Sequence, residues 1–560
     1  MSSRLFQIGC AILALIAFKP NATAQIPKGH QILINRGFQI QGMVVNYDVF
    51  HLTTYSNANY TSINWLWDSS PSLHGAAPGF PWARWVRNQG EMPPLSSEVP
   101  YMSQLVALQL GDEANLNDDA IRNAAINWFN TVRANFPNTI LYANNFGGQV
   151  GDAQLYDFYS RAMPDMLCFD SYPWKSVYGG VGNPPGPPIP GTPINWYGDL
   201  RRYREHAKGA NLPLATYRQT FHAIQDYDAT VYRDPSPSEL RLNTFAALAF
   251  NAKVLIDFLY NQGASSLFTP PGGDSNPNAL YAEMADVNHR VRNLGKALVR
   301  LKPIADVPHP DLHTTSMMFV RGRNSSGAIN PIPIGFVPDP QAPNSYTDWV
   351  FLQNDPYLNG WVVTNKAGIK NGGTNGDVII SWFRPLDESM DGPDYTNEVY
   401  LMVVNGLSDP TGTAPDCLQE IRLNFLVGNS ISAVNMLDPQ TGLLTTNTMP
   451  VISGSGGNTR RQLVLNLNGG DAALFKFTTG APFVGWPVPP RLSVRRQNSV
   501  TTIATDGAVG ARYQVEATSS FPATNWTVLT NLLLPASPWM FADTTSSNLT
   551  QRFYRALGIP

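Results

Sequence analysis

Glu113 stands at the end of an apolar run, Leu105 to Gly111, that meets its first charge at Asp112-Glu113. Such a run is how a fully buried parallel strand ends. An acid just past that end sits where α/β barrels keep their chemistry. The duller reading is that Asp112 and Glu113 merely open the helix-like segment that follows, since acids favour its positive N-terminus. Further polar side chains fall at comparable places. Asp170-Ser171-Tyr172-Pro173-Trp174 follows one apolar strand, Tyr217-Arg218-Gln219 ends another, and Asp257 and Tyr260 belong to a third. Asn35, Arg36, Trp67 and Asp68 are placed to reach the same mouth, as are Asn144 and Asn145.

Two carboxyl groups flanking one bond are the usual tool for cleaving a glycosidic linkage. One protonates the leaving oxygen, and the other attacks the anomeric carbon or activates water. Glu113 is the first choice for the acid, because partial burial between strands would raise its pKa. Asp170 is the favoured second carboxylate, with a turn cap at Asp-Ser-Tyr-Pro as its structural alternative. Asp257 competes, although a mid-strand acid also suits burial against Arg218 or Lys253. Asp112 would orient a substrate amide or Glu113 itself, and an Asp-Glu pair also suits substrate-assisted cleavage of an N-acetyl sugar. Other chemistries lack their signatures. The sequence has no HExxH, CxxC or P-loop and no GxSxG elbow, and its eight His are scattered. No metal or organic cofactor is implied.

The elements that must position these residues alternate between strand and helix from His30 to Lys302. Strands are expected at His30–Gln39, Gly42–Val45, Tyr60–Trp67, Leu105–Gly111, Thr139–Ala143, Asp165–Phe169, Pro213–Gln219 and Lys253–Tyr260. Helices are expected at Asp118–Phe136, Ala153–Ala162, Tyr197–Lys208, Pro237–Phe250 and Ala279–Leu301. This alternation predicts a (β/α)8 barrel over residues 25–304, with Lys253 opening strand 8 and Glu113 following strand 4. Two long loops, Lys175 to Asn195 and Asn261 to Asn278, leave the mouth side as candidate lids or binding loops. From about Ala305 the period falls to two, in short runs such as Asp377–Phe383, Glu398–Asn405, Glu420–Phe425 and Ala472–Phe477. An antiparallel β-sandwich over 305–480 is expected, then a linker at 481–490 and a small β module over 491–560.

The bulk numbers agree with a loop-rich α/β and β chain. At 560 residues it exceeds one core. Charged residues are 14% and the net charge is −3, with no basic stripe, which argues against a nucleic-acid partner. Arg4, the apolar run Leu5 to Phe18 and Ala22-Thr23-Ala24 before Gln25 read as a signal peptide over 1–24, so secretion is expected. No later stretch is long and apolar enough to span a membrane. Cys168 and Cys417 fall in different expected domains, so a disulfide is not expected.

Several of these motifs resemble glycoside hydrolases of the large (β/α)8 superfamily: the strand ending Gly-Asp-Glu, then FDSYPW, then YRQTF, then an Ala-Lys strand ending in an aromatic. The resemblance implies a strand-4 acid/base at Glu113, with Tyr172, Trp174, Arg218 and Gln219 holding sugar hydroxyls. YLMVVNG and GGDAALFKF resemble the β-sandwich common behind such barrels. The last segment, with Trp526 and Arg552-Phe553-Tyr554, resembles a small module of secreted bacterial proteins and implies cell-surface association. Two departures stand out. The superfamily's strand 4 usually ends Asn-Glu, here Asp112-Glu113, and Gln219-Thr220 occupies the region where a retaining enzyme carries its nucleophilic Glu. Either strand 6 or 8 supplies the second carboxylate, or the enzyme inverts through water, or the barrel binds carbohydrate without cutting it. A further alternative is an adhesion protein whose β modules do the binding.

Overall fold

The computed structural model describes residues 26–559 except 88–90, 178–193, 225–230, 271–272, 305–316, 324–325, 331–337, 340–341, 348–357, 369–372, 387–398, 428–430, 478–482, 486–489, 498–499, 507–511, 522–524, 536–537 and 548. The expected signal peptide, most of the Lys175–Asn195 loop and much of the 481–490 linker therefore lie outside the described residues.

Eight parallel strands close into a barrel. In chain order they are β1 (Gln39–Val44), β2 (Ser62–Leu66), β3 (Trp82–Val86), β4 (Leu105–Asp112), β5 (Ile140–Phe146), β6 (Leu167–Asp170), β7 (Leu214–Gln219) and β8 (Ala252–Phe258). Each neighbours the next, and β1 pairs with β8. The expected α/β class and the numbering that makes Glu113 follow strand 4 both hold. The first third differs from expectation. Lys28–Arg36 is a helix, not a strand. Lys28 reaches Asp165 at 2.8 Å, just before β6, and Gly29 lies against the Asp165 carbonyl. That helix therefore covers the N-terminal end of the barrel. The third strand is Trp82–Val86, whose WARWV pattern the sequence reading passed over.

The helices follow the expected signals. Asp118 caps Asp119–Val132 by accepting from the Ala120 and Ile121 amides. Ser236 and Glu239 form a capping box at Pro237–Ala249. The last helix, Ala279–Leu298, stops short of Leu301, which instead opens a strand, Leu301–Pro303, paired with Val378–Pro385.

That pairing ties the barrel to a mixed-length antiparallel sheet containing Met317–Val320, Val378–Pro385, Tyr400–Asn405 and Ala472–Lys476. A second sheet, with Leu358–Asn365, Gln419–Leu426 and Arg460–Leu467, lies behind it. Val378–Pro385 is buried on both faces. Ile379 and Phe383 join the barrel's core, whereas Val378, Ile380 and Trp382 join the sandwich's own core. Arg241 reinforces the join, pairing with Glu283 and Asp286 on the last barrel helix and with Asp471 of the sandwich at 2.6 Å. Two three-stranded antiparallel sheets follow between Arg491 and Ile559. No helix among the described residues is long and apolar enough to cross a membrane.

Candidate active site

The end of β4 is bent so as to turn its acids into the barrel mouth. Regular pairing with β5 breaks after Gln109 and resumes at Asp112 opposite Asn144. Gly111 takes φ +97°, a conformation glycine adopts without cost, and Glu113 takes φ +44°, which an L side chain rarely does. Such a backbone costs roughly 1–3 kcal/mol and persists only where the surroundings hold it. They do here. The Glu113 amide donates to the Asn144 carbonyl at 3.0 Å, and Gln149 Nε2 donates to the Glu113 carbonyl at 2.6 Å.

Asp170 closes β6 and is 2% exposed. Asn144 Nδ2 donates to Asp170 Oδ1 at 2.7 Å and to Asp112 Oδ1 at 3.0 Å, so one amide joins two carboxyls. Gln109 Nε2 also donates to Asp112 Oδ1, at 2.9 Å, and Gln109 Oε1 accepts from the Tyr217 hydroxyl at 2.5 Å. Burial, with the Asp112 and Glu113 charges, pushes the Asp112 and Asp170 carboxyls upward against these donors. Asp112 is raised to about 6, by burial first and then by the Glu113 charge, while Asn144 and Gln109 oppose. Asp170 is raised well above the carboxylate range, again by burial first, then by the charges of Glu113 and Asp112, and by its hydrogen bond to Glu113. The surroundings of Asp170 therefore favour its protonated form more than water would.

These groups line a pocket of about 300 Å³. Trp85, Tyr172, Tyr217 and Phe258 give it aromatic walls, and Phe221, Ala223 and Tyr232 close one side. The closing side belongs to a three-stranded sheet of loop segments, Lys175–Val177, Ala223–Ile224 and Val231–Tyr232. Gln219 fastens that sheet. Its Oε1 accepts from the Trp174 amide at 2.8 Å, and its Nε2 donates to the carbonyls of Trp174 and Arg233 at 2.9 Å.

Of the sequence candidates, Asp112, Glu113, Asn144, Asp170 and Tyr172 meet in this pocket. Trp67 stands at its rim, 43% exposed and edge-on to Trp85 at 5.6 Å. The others lie elsewhere. Asn35 and Arg36 end the helix at the far end of the barrel, where Arg36 donates to the Ser103 carbonyl ahead of β4. Trp174 is buried with the Arg233 guanidinium 5.9 Å from its ring. Arg218 and Asp257 form a fully buried ion pair at 2.5 Å, facing Thr244 and Asn288 on the surrounding helices. Tyr260 packs among Tyr55, Tyr60 and Phe268 and donates to Asp274 at 3.2 Å. Asp274 is held there, since it also accepts from the His51 amide.

The sequence reading missed Trp85, Gln109, Tyr232 and the role of Tyr217. Alternation on β7 was the usable signal for the last: with Tyr217 pointing inward, Arg218 must point out.

No family model matches the chain, and no curated protein matches it. Among solved structures it is similar to a rhamnosidase from Novosphingobium sp. PP1Y, at 11% identity and TM-score 0.35, over 79% of this chain and 51% of that one. It is also similar to a glycoside hydrolase family 5 protein from Bacteroides vulgatus ATCC 8482, at 11% identity and TM-score 0.32, over 76% and 89%. A type I 3-dehydroquinate dehydratase from Clostridium difficile matches at 10% identity and TM-score 0.25, over 46% and 92%. The chain thus spans about half the length of the rhamnosidase, and likenesses at these scores carry no argument about its chemistry.

Proposed function

We propose that the chain is a glycoside hydrolase acting on a poly- or oligosaccharide at the mouth of its barrel, with Glu113 as the proton donor. The observation that carries this reading is the meeting of Asp112, Glu113 and Asp170, joined through Asn144, under aromatic walls at the C-terminal strand ends. Asp170 is the second carboxyl, in a role narrower than the sequence suggested. It lines the same pocket as Glu113, whose charge bears on its buried carboxyl. In this reading Asp170, whose burial favours its protonated form, hands a proton to Glu113. Glu113 passes that proton to the leaving oxygen, the neighbouring carboxylates stabilise the positive charge at the anomeric carbon, and water completes the hydrolysis by returning a proton to the pair. Tyr172 and Trp85 offer flat faces to the sugar rings.

The first test is release of reducing ends from a panel of neutral and N-acetylated oligosaccharides. Glu113→Gln should lower kcat by at least ~10³-fold with saccharide binding retained. Undiminished turnover in that variant removes Glu113 from the role. A second reading is carbohydrate binding without cleavage, favoured by Gln219, which is a buried fastener where a retaining enzyme would carry its nucleophile. Saccharide binding by the unaltered protein, with no release on any member of the panel, would select it. We also propose secretion, on the strength of Arg4, the Leu5–Phe18 run and Ala22-Thr23-Ala24, with cell-surface association through the last β module.

A further inference from the structure

A second, larger cleft of about 900 Å³ opens beside the mouth. It lies between the end of β5, the start of the helix Asp152–Ala162 and the helix Ile194–Ala210, and it shares Tyr172 with the carboxyl pocket. Phe146, 43% exposed, is a flat apolar platform on its edge. Asp199 supplies a carboxyl beneath. Ser171, the residue after Asp170, donates to Asp199 Oδ2 at 2.7 Å. A Cβ on Gly147 would fall 2.5 Å from that same oxygen, so only glycine lets the carboxyl come this close to the rim. Burial pushes the Asp199 carboxyl upward against the Ser171 hydroxyl and the Arg202 and Lys175 charges, a sign that it has lost more solvation than they return. A hydroxyl donated by a ligand would make up the difference. Three cations, Lys175, Arg201 and Arg202, are matched on the lining by three carboxyls, Asp152, Asp199 and Glu205. Arg202 and His206 are already paired with Asp152, at 2.7 and 2.9 Å. A cleft so balanced offers hydroxyl partners and an apolar platform without selecting for an acidic group.

We propose that this cleft is a second saccharide subsite, continuous with the carboxyl pocket across Tyr172, where Phe146 stacks on a neutral sugar ring and Asp199 accepts from its hydroxyls. The proposal rests on the carbohydrate reading of the mouth and narrows it: the substrate is a neutral chain long enough to occupy both cavities, and its outer units are held on the β5–β6 side.

The test is retardation of the full chain in native gels containing soluble xylan, arabinan, galactan, mixed-linkage β-glucan, polygalacturonate or alginate. A neutral polysaccharide should retard the unaltered protein. Phe146→Ala and Asp199→Asn should each weaken that retention at least tenfold, while Glu113→Gln should leave it in place. Circular dichroism of each variant verifies the fold. Where turnover is measurable, the ratio of kcat/KM on a tetrasaccharide to that on an aryl monoglycoside should fall at least tenfold in both cleft variants. Retention by neutral chains that neither substitution weakens, retention by the two acidic polymers alone, or no retention by any of the six overturns the proposal. Loss of turnover as a hydrolase bears on the mouth only, because retention reads the cleft whether or not a bond is cut.

Discussion

Asparagine in place of Asp170 would keep the shape of the side chain. Its oxygen can accept from Asn144 as the Asp170 carboxyl does. What it removes is the ionisation. An acid with a raised folded pKa binds its proton more tightly in the folded chain than in the unfolded one. Its contribution to stability is complete below the unfolded value, about 4, and is lost as pH rises through the folded value. For Asp112 that window closes at about 6, and Asp170 is shifted in the same direction. Asp170→Asn should therefore be more stable than the unaltered chain at pH 7, by at least about 1 kcal/mol, and indistinguishable from it at pH 4, while losing activity. Denaturant unfolding at the two pH values checks this. An equal effect at both would mean that Asp170 is not held neutral by its surroundings. The sequence exposed the two acids at strand ends, because an apolar run ending in a carboxylate is a local signal. It did not expose their pairing, which depends on Asn144 from a third strand and on the positive φ of Glu113.

At the scale of elements, β7 and β8 show how strand parity sorts polar residues into two trades. Arg218 and Asp257 are register partners on adjacent strands, and both side chains leave the barrel outward. Tyr60 donates to the second Asp257 oxygen at 2.5 Å. With Thr244 and Asn288 on the guanidinium, each of its nitrogens and both carboxylate oxygens have a partner in the wall between barrel and helices. Arg218 therefore holds no sugar. Arg218→Met should cost about 3–5 kcal/mol of stability, since it leaves a buried carboxylate without its cation. The KM of the fraction that still folds should not change. A raised KM at unchanged stability would return Arg218 to the substrate. β4 to β8 were legible because each carries an apolar run between segments of helical spacing. Lys28–Arg36 was not, because ILIN inside KGHQILINR carries a strand-like composition. Tertiary packing of Ile32 and Leu33 on the barrel end decides that it is helical. β3 has only five residues and a central Arg84, whose charge hides a buried strand. Glu91 and Glu98, each 2.6 Å from that guanidinium, are what make its burial tolerable.

The whole molecule is organised around one strand that belongs to two cores. Because Val378–Pro385 gives Ile379 and Phe383 to the barrel and Ile380 and Trp382 to the sandwich, neither body has a complete surface of its own there. At that seam Lys253, the second residue of the last barrel strand, is buried with its ammonium 6.0 Å from the Phe383 ring, donating to the Leu298 carbonyl. Burial brings its pKa down to about 7, and the buried His30 nearby is lowered to about 3 by burial first and then by the Lys253 and Lys302 charges. For a base with a depressed folded pKa the unfolded chain binds the proton more tightly. The group's penalty is therefore fully present below pH 7 and is relieved as pH rises from about 7 toward its unfolded value near 10.4. Lys253→Met has a similar length and no charge to bury. It should raise stability at pH 6–7, on the order of 1 kcal/mol or more, and the gain should shrink toward pH 10. Because the residue sits where the two cores meet, the gain should register equally in barrel and sandwich probes, within one shared unfolding transition. A gain that appears in one probe alone, or that is independent of pH, would mean that the seam does not couple the two bodies through this buried cation.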